Sequence, residues 1–255
     1  METWMHDVPA AVRATQAQLR AEVPDLPGRF ARLGEALRDE VSDVRAAQAR
    51  GGAVPELRYA DVAAGAVSAG QIAAIRRRGC LVIRGVYDPA QVQAWNEEVI
   101  RYIDEVGYLA RMQDKAGLDK YFSTLASSRP QIYSLYWSPP QMQARQHPHM
   151  ATTRAWLNRL WTFEKGGTRF FDPDRQFNYA DRIRRREPGD STLGLSPHSD
   201  GGSVERWCEP TFRHVYRDVL QGDPLAFDPF DAEGRIATKE IPSPAVCSAF
   251  RTFQG

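Results

Sequence analysis

The stretch Leu193-Gly194-Leu195-Ser196-Pro197-His198-Ser199-Asp200-Gly201-Gly202 sets the narrowest limits on what this chain can become. It reads as a short extended segment that runs into a glycine-pair turn. Side chains on an extended segment alternate between faces, so His198 and Asp200 point the same way. One imidazole beside one carboxylate is two-thirds of the two-histidine, one-carboxylate set that holds non-haem Fe(II) and leaves positions open for other ligands. A plain turn explains the same pair, with Asp200 as turn former beside the glycines and His198 hydrogen-bonded in place. With 32 acidic residues and five histidines in 255, such a pair arises by accident in about half of comparable chains, so spacing alone does not decide.

Composition narrows the field. Hydrophobic residues make up 42% and charged residues 25%, enough apolar material for a real core in an ordinary globular protein. A formal net charge of +1 recommends neither nucleic acid nor an anionic membrane as partner. The basic side is almost all arginine, with Lys115, Lys120, Lys165 and Lys239 the only lysines. Cys80, Cys208 and Cys247 are widely spaced, with no C-x-x-C. They read as reduced thiols in a cytoplasmic protein rather than a disulfide scaffold or a zinc site. The N-terminus lacks the apolar region of a signal peptide, and no apolar run approaches membrane-spanning length.

Residues from about Val8 to Arg50 are helical in pattern and broken at Pro24-Asp25-Leu26-Pro27-Gly28. In the second segment Phe30, Leu33, Leu37, Val41 and Val44 form a stripe expected to pack on the main body. A helical arm over 1–65 and a main domain over 66–255 follow. Val54-Pro55-Glu56-Leu57 reads as extended linker. Ser68 to Arg78 is expected as a short helix with Ser68 as N-cap, and Gly79–Val86 as a buried strand bounded by glycines. Asp88-Pro89 opens another helix, which carries Val92, Trp95, Val99, Tyr102 and Ile103 on one face and ends near Gly107.

Pro130–Ser138 has strand-favouring composition, Met150–Glu164 helical periodicity, and Tyr179–Arg186 alternating polarity as on a strand. Val204 to about Leu220 reads as an irregular or helical insert, and Ala245–Phe253 as a further strand.

A helical lead-in, a glycine-led strand, an Asp-Pro-capped helix and a late His-x-Asp strand resemble, in that order, the Fe(II)/2-oxoglutarate-dependent dioxygenase superfamily. Within it, several strings are similar to the YbiU-like family. They are Ala116–Phe122, Pro130–Tyr133, Gln146–Pro148, Tyr179–Arg186, Leu195–Asp200 and Phe250–Gly255. The likeness covers most of the chain from about residue 20 onward.

The resemblance implies an α+β fold whose core is a double-stranded β-helix, a jelly-roll-type barrel. That core is expected to be incomplete at the C-terminus and to carry a helical N-terminal extension. It implies His198 and Asp200 as metal ligands, Fe(II) and 2-oxoglutarate as cofactors, and hydroxylation of a small-molecule substrate. The third histidine and the basic partner of the far 2-oxoglutarate carboxylate are expected beyond Gly255, so no catalytic residue is assigned within the chain. Neither His147, His149 nor His214 is a convincing third ligand.

Tyr133, with Tyr136 nearby, is a candidate to line the cofactor pocket, and core packing is the competing reading for both. Arg251 and Gln254 are candidates on the final strand. Arg184, Arg185 and Arg186 are candidates to meet an acidic substrate or to stand as a solvated surface. A chain ending at Gly255 would present unpaired strand edges and is expected to be metal-poor, aggregation-prone or assembled as a homo-oligomer. Two alternatives stand beside the oxygenase. One is a non-catalytic binding or regulatory module on the same fold, and the other is a structural protein in which His198 and Asp200 only make a turn.

Overall fold

The structure is a computed structural model that describes residues 7–113, 131–176, 181–190, 207, 210–236 and 252–254. Helix α1 (Val8–Glu22) is opened by Asp7, whose carboxylate accepts the Ala10 N–H at 2.9 Å, and by Pro9 in the first turn. The chain breaks at Val23–Asp25, where proline disfavours a continuous helix. It then restarts as α2 (Leu26–Ala49) with Asp25 in a left-handed conformation as its cap. The expected break between two helices is present at the expected place.

The expected packing of α2 is not. None of its residues is buried, and Phe30, Leu37 and Val41 are 45%, 55% and 49% exposed. Polar contacts hold the helix instead. Arg77 pairs with Glu40 at 2.8 Å and also with Asp43, and Arg78 reaches Glu40 at 3.3 Å. Arg29 donates to the carbonyls of Gly222 and Gln221. Successive helical residues step by about 100°, so Arg29, Glu40 and Asp43 form one row and the apolar stripe lies about a quarter turn away. The charged row faces the body; Leu33 and Val44, at the near edge of the stripe, are half-buried, and Phe30, Leu37 and Val41 stand in solvent.

Strand β1 (Glu56–Arg58) leads through the one-turn helix α3 (Tyr59–Ala63) and α4 (Ala69–Arg78) to β2 (Val82–Arg84), which pairs with β1 in parallel, Leu57 opposite Ile83. The segment expected as linker is thus a strand. Ser68 caps α4 with a reciprocal capping box through Gln71, as its sequence position suggests. Gly79 ends α4 at φ +67, a conformation glycine takes without Cβ strain. The strand expected from Gly79 to Val86 is trimmed to three residues, two half-buried and one exposed. The reason is that, among the described residues, β1 is its one partner in a two-stranded sheet.

Asp88 caps α5 (Pro89–Glu105) by accepting the Ala90 and Gln91 N–H groups. Trp95 and Ile103 are its buried residues, and α6 (Tyr108–Gln113) follows. Strand β3 (Ile132–Tyr133) pairs antiparallel with a later strand, here β6 (Ile183–Arg184), Tyr133 opposite Ile183. Between them lie α7 (Pro139–Gln146) and α8 (Pro148–Asn158), then a hairpin of β4 (Glu164–Lys165) and β5 (Thr168–Arg169).

The helix expected over Met150–Glu164 therefore starts earlier and ends sooner. Pro148 opens it, and Gly166 and Gly167, at φ +58 and +78, make a two-residue hairpin turn that needs positive φ at both positions. Leu160 and Trp161 fall past the helix yet still enter the core.

Among the described residues three apolar clusters result. The largest joins Leu57, Val62, Ile75, Leu160, Trp161, Phe230 and Ala232, and Phe253 packs against it. A second joins Ile103, Tyr108, Tyr133 and Ile183. The third, under α1, joins Leu19, Val23 and Leu220 with Trp207 beside them. Beyond Trp207 the chain passes through the short helix Pro210–Arg213, the 3-10 turn His214–Tyr216 and the single turn Arg217–Leu220.

Among the described residues the sheets are three two-stranded pairs. The strands expected at 193–202 and 245–253 lie outside the described residues, apart from Thr252 and Phe253. No helix of the described residues is long and apolar enough to cross a membrane.

Candidate functional site

The two expected metal ligands, His198 and Asp200, lie outside the described residues, as does Arg251. What the structure describes is the frame on either side of them. Upstream, Tyr133 and Ile183 face each other across the β3–β6 pair and turn inward against Ile103 and Tyr108. The Tyr133 ring stands 5.2 Å from that of Tyr108 and is 1% exposed, a core position. Tyr136 is half-buried, and its carbonyl accepts from Arg145. Of the arginine run after it, Arg184 and Arg186 are exposed, while Arg185 pairs with Glu187 at 2.8 Å. The turn Glu187–Asp190 closes on itself through Asp190 N–H to the Glu187 carbonyl at 3.1 Å.

Downstream, Trp207 stacks on Tyr216 at 5.3 Å with an 18° interplanar angle. Near the last described residues, the Trp161 indole donates to the Thr252 carbonyl at 3.2 Å and the Thr252 hydroxyl donates to Asn158 Oδ1 at 2.7 Å. Gln254, on the same stretch, is exposed.

The entrance to β6 is held by a polar node on α7. Asp181 Oδ1 stands 2.6 Å from Arg145 Nε, although that N–H does not point at it, so the contact is an ion pair rather than a hydrogen bond. The Gln141 amide donates to the Asp181 carbonyl at 3.0 Å and to its carboxylate at 3.3 Å. Gln141 also takes part in the capping box with Ser138 that opens α7. Arg145 is only 11% exposed, and its guanidinium lies 5.0 Å over the Trp137 ring. Arg154 donates to the Arg145 carbonyl at 3.0 Å.

Burial holds the Arg154 pKa below its ordinary value and pushes the Tyr87 phenol above its own, with Arg154 opposing the second shift. Sequence reading missed this node. Its one signal was Asp181 inside the family string Tyr179–Arg186; nothing marked Arg145 or Gln141.

Two of the described histidines, His147 and His149, do structural work. His147 ends α7 and caps α8, its Nδ1 accepting the His149 N–H at 3.1 Å. His149 Nδ1 meets the Val86 carbonyl at 2.9 Å, and its ring stacks on Tyr59 at 4.3 Å. His214 is exposed and lines a cleft against α1. Among the described residues no three of His, Cys, Asp and Glu gather as a metal-binding group.

Comparison with known proteins places this architecture. The Gig2-like family profile matches residues 6–255. The chain is 43% identical over 192 residues to the uncharacterized protein YbiU of Escherichia coli K12, covering 74% of this chain and 45% of that protein. It superposes on the crystal structure named "Putative Oxidoreductase" from Salmonella typhimurium LT2 with a TM-score of 0.82 and 38% identity, over 95% of this chain and 58% of that one. It also superposes on GlcNAc Inducible Gene 2 (GIG2) of Candida albicans, with a TM-score of 0.70 and 26% identity, over 93% of this chain and 48% of that one. The chain thus spans about half the length of these relatives. With its profile matched from residue 6 through residue 255, the chain belongs to the Gig2-like family.

Proposed function

We propose that this chain is part of an Fe(II)/2-oxoglutarate-dependent oxygenase that hydroxylates a small molecule. The observation that carries the reading is the His198-x-Asp200 pair on a segment that ends in Gly201-Gly202. Support comes from the resemblance of the ordered strings around it and from the name given to the Salmonella relative.

The donor set fits the metal: a neutral imidazole and a carboxylate suit Fe(II). In this reading His198 and Asp200 hold the ion on one face, and a histidine not assigned within this chain completes the set. When bound, Fe(II) with 2-oxoglutarate and O2 supplies oxidative hydroxylation of a C–H bond. In this reading the segment carrying the two ligands belongs to a jelly-roll barrel.

The remaining work falls to this chain's own side chains. Arg145 and Gln141 fix Asp181, and with it the start of β6. Trp207, stacked on Tyr216, fixes the point where the chain returns. Both are positioning contacts on the described chain that flanks the proposed ligands, as ligand geometry requires support from surrounding groups.

The test is anaerobic addition of Fe(II) and 2-oxoglutarate to the protein as its gene encodes it. A visible charge-transfer absorption band that disappears in His198→Ala is expected. No band, or an undiminished band in the variant, would refute the proposal.

A further inference from the structure

We propose that the cleft between α1 and the segment 210–221 is a binding site for a small oxyanion, a carboxylate or phosphate group, with Arg213 as its principal ligand. The cleft has a volume of about 170 Å³. Leu19 of α1, Val23 just past its end and Leu220 form its apolar floor, and all three are buried. Arg213, His214 and Arg217 supply its polar wall.

The two arginines differ in what neutralises them. Arg217 Nη2 lies 2.9 Å from Asp231 and 3.6 Å from Glu233, so its charge is already answered. Arg213 has a side chain only 16% exposed, and among the described residues no acceptor meets its Nη1. Its Nη2 stands 3.7 Å from Glu22 Oε2, beyond hydrogen-bond range.

Among the described residues the Arg213 charge is answered by Glu22 at that distance, so an anion in the cleft that offers closer acceptors lowers the cost of holding this guanidinium largely out of water. The planar fork of arginine matches the paired oxygens of carboxylate or phosphate. The apolar floor leaves room for a short hydrocarbon stem behind such a head group. Glu22, at the rim, competes for the same cation and weakens an incoming anion.

This site is independent of the iron reading, because none of its lining residues is a proposed metal ligand. The experiment is calorimetric titration of the protein with inorganic phosphate and, separately, with butyrate. Saturable binding of either supports the site, and which one binds tighter identifies the head group. Arg213→Gln is expected to weaken that binding about tenfold, the loss of one charge-assisted contact. Glu22→Gln, on the exposed end of α1, is expected to tighten it several-fold, and this variant keeps the test sound should Arg213→Gln fail to fold. The proposal is overturned if neither anion saturates, if Arg213→Gln folds and binds like the parent, or if Glu22→Gln leaves affinity unchanged.

Discussion

Asp181 is joined to Arg145 by an ion pair at 2.6 Å, and this contact ties the start of β6 to helix α7 across the intervening residues 146–180. Gln141 strengthens the tie by donating to the backbone and the side chain of the same aspartate. Removing Asp181 leaves a largely buried guanidinium facing no carboxylate. The aspartate side chain is 49% exposed, so water screens part of the interaction and the loss stays below that of a fully buried pair. Asp181→Ala is expected to destabilise the fold by about 1–2 kcal/mol and Asp181→Asn by less. Urea unfolding measures both; a wild-type midpoint for Asp181→Ala would contradict the role given to the node.

Helix α2 offers an inverted pattern of sensitivity. Phe30, Leu37 and Val41 of its apolar stripe are in solvent and its charged row faces the body. Leu37→Ala and Val41→Ala should change stability by no more than about 0.5 kcal/mol, as surface substitutions do. Arg77→Ala removes contacts to both Glu40 and Asp43 and should cost up to about 1 kcal/mol, a loss that shrinks as salt is added. Thermal unfolding at low and high salt checks this. A loss of about 2 kcal/mol or more at Leu37 would mean that the stripe is packed after all.

The Tyr87 phenol donates to the Ala144 carbonyl at 2.9 Å, and burial raises its pKa. A raised folded-state pKa means that the folded protein holds this proton more tightly than the unfolded chain does. The resulting stability is fully present below the unfolded value, about pH 10, and is lost as pH climbs through the folded one. Tyr87→Phe is expected to cost about 1 kcal/mol at neutral pH through the lost hydrogen bond. The gap between the two proteins should narrow above about pH 10, because only the parent has a phenol to ionise. Unfolding free energies across that range report it; a gap that widens would reverse the sign assigned here.

Where a single residue dictates backbone geometry, the fold was legible. Asp88 before Pro89, Ser68 before α4 and the proline break before α2 all mark helix starts that the structure contains. Each works through a local hydrogen bond or a missing donor, so no distant contact has to be known. The orientation of α2 was not legible. A stripe of Phe30, Leu37 and Val41 has the period of a buried face, but Arg29, Glu40 and Asp43 keep that period equally well. Only partners far along the chain, Arg77 and the Gly222 carbonyl, decide which row turns inward.

Strand lengths were overread for a related reason. Apolar composition at Gly79–Val86 states a tendency, while the paired length depends on how much partner β1 supplies. The Gly166-Gly167 turn carried a readable hairpin signal that the helical period of Met150–Glu164 obscured. Of the candidate site, the spacing of His198 and Asp200 suggested a metal pair without deciding for it, whereas the Arg145–Asp181 contact had no local signature. It joins residues far apart in the chain that only the folded arrangement brings together.

The central claim is that His198 and Asp200 grip one metal ion. Anaerobic calorimetric titration with Fe(II) tests it on the protein as its gene encodes it and on three variants, His198→Ala, Asp200→Ala and His214→Ala. The account predicts saturation at one ion per chain in the parent, loss of that binding in the first two variants, and retention in the third. Equal affinity in the parent and in His198→Ala, or loss of binding in His214→Ala alone, would contradict it.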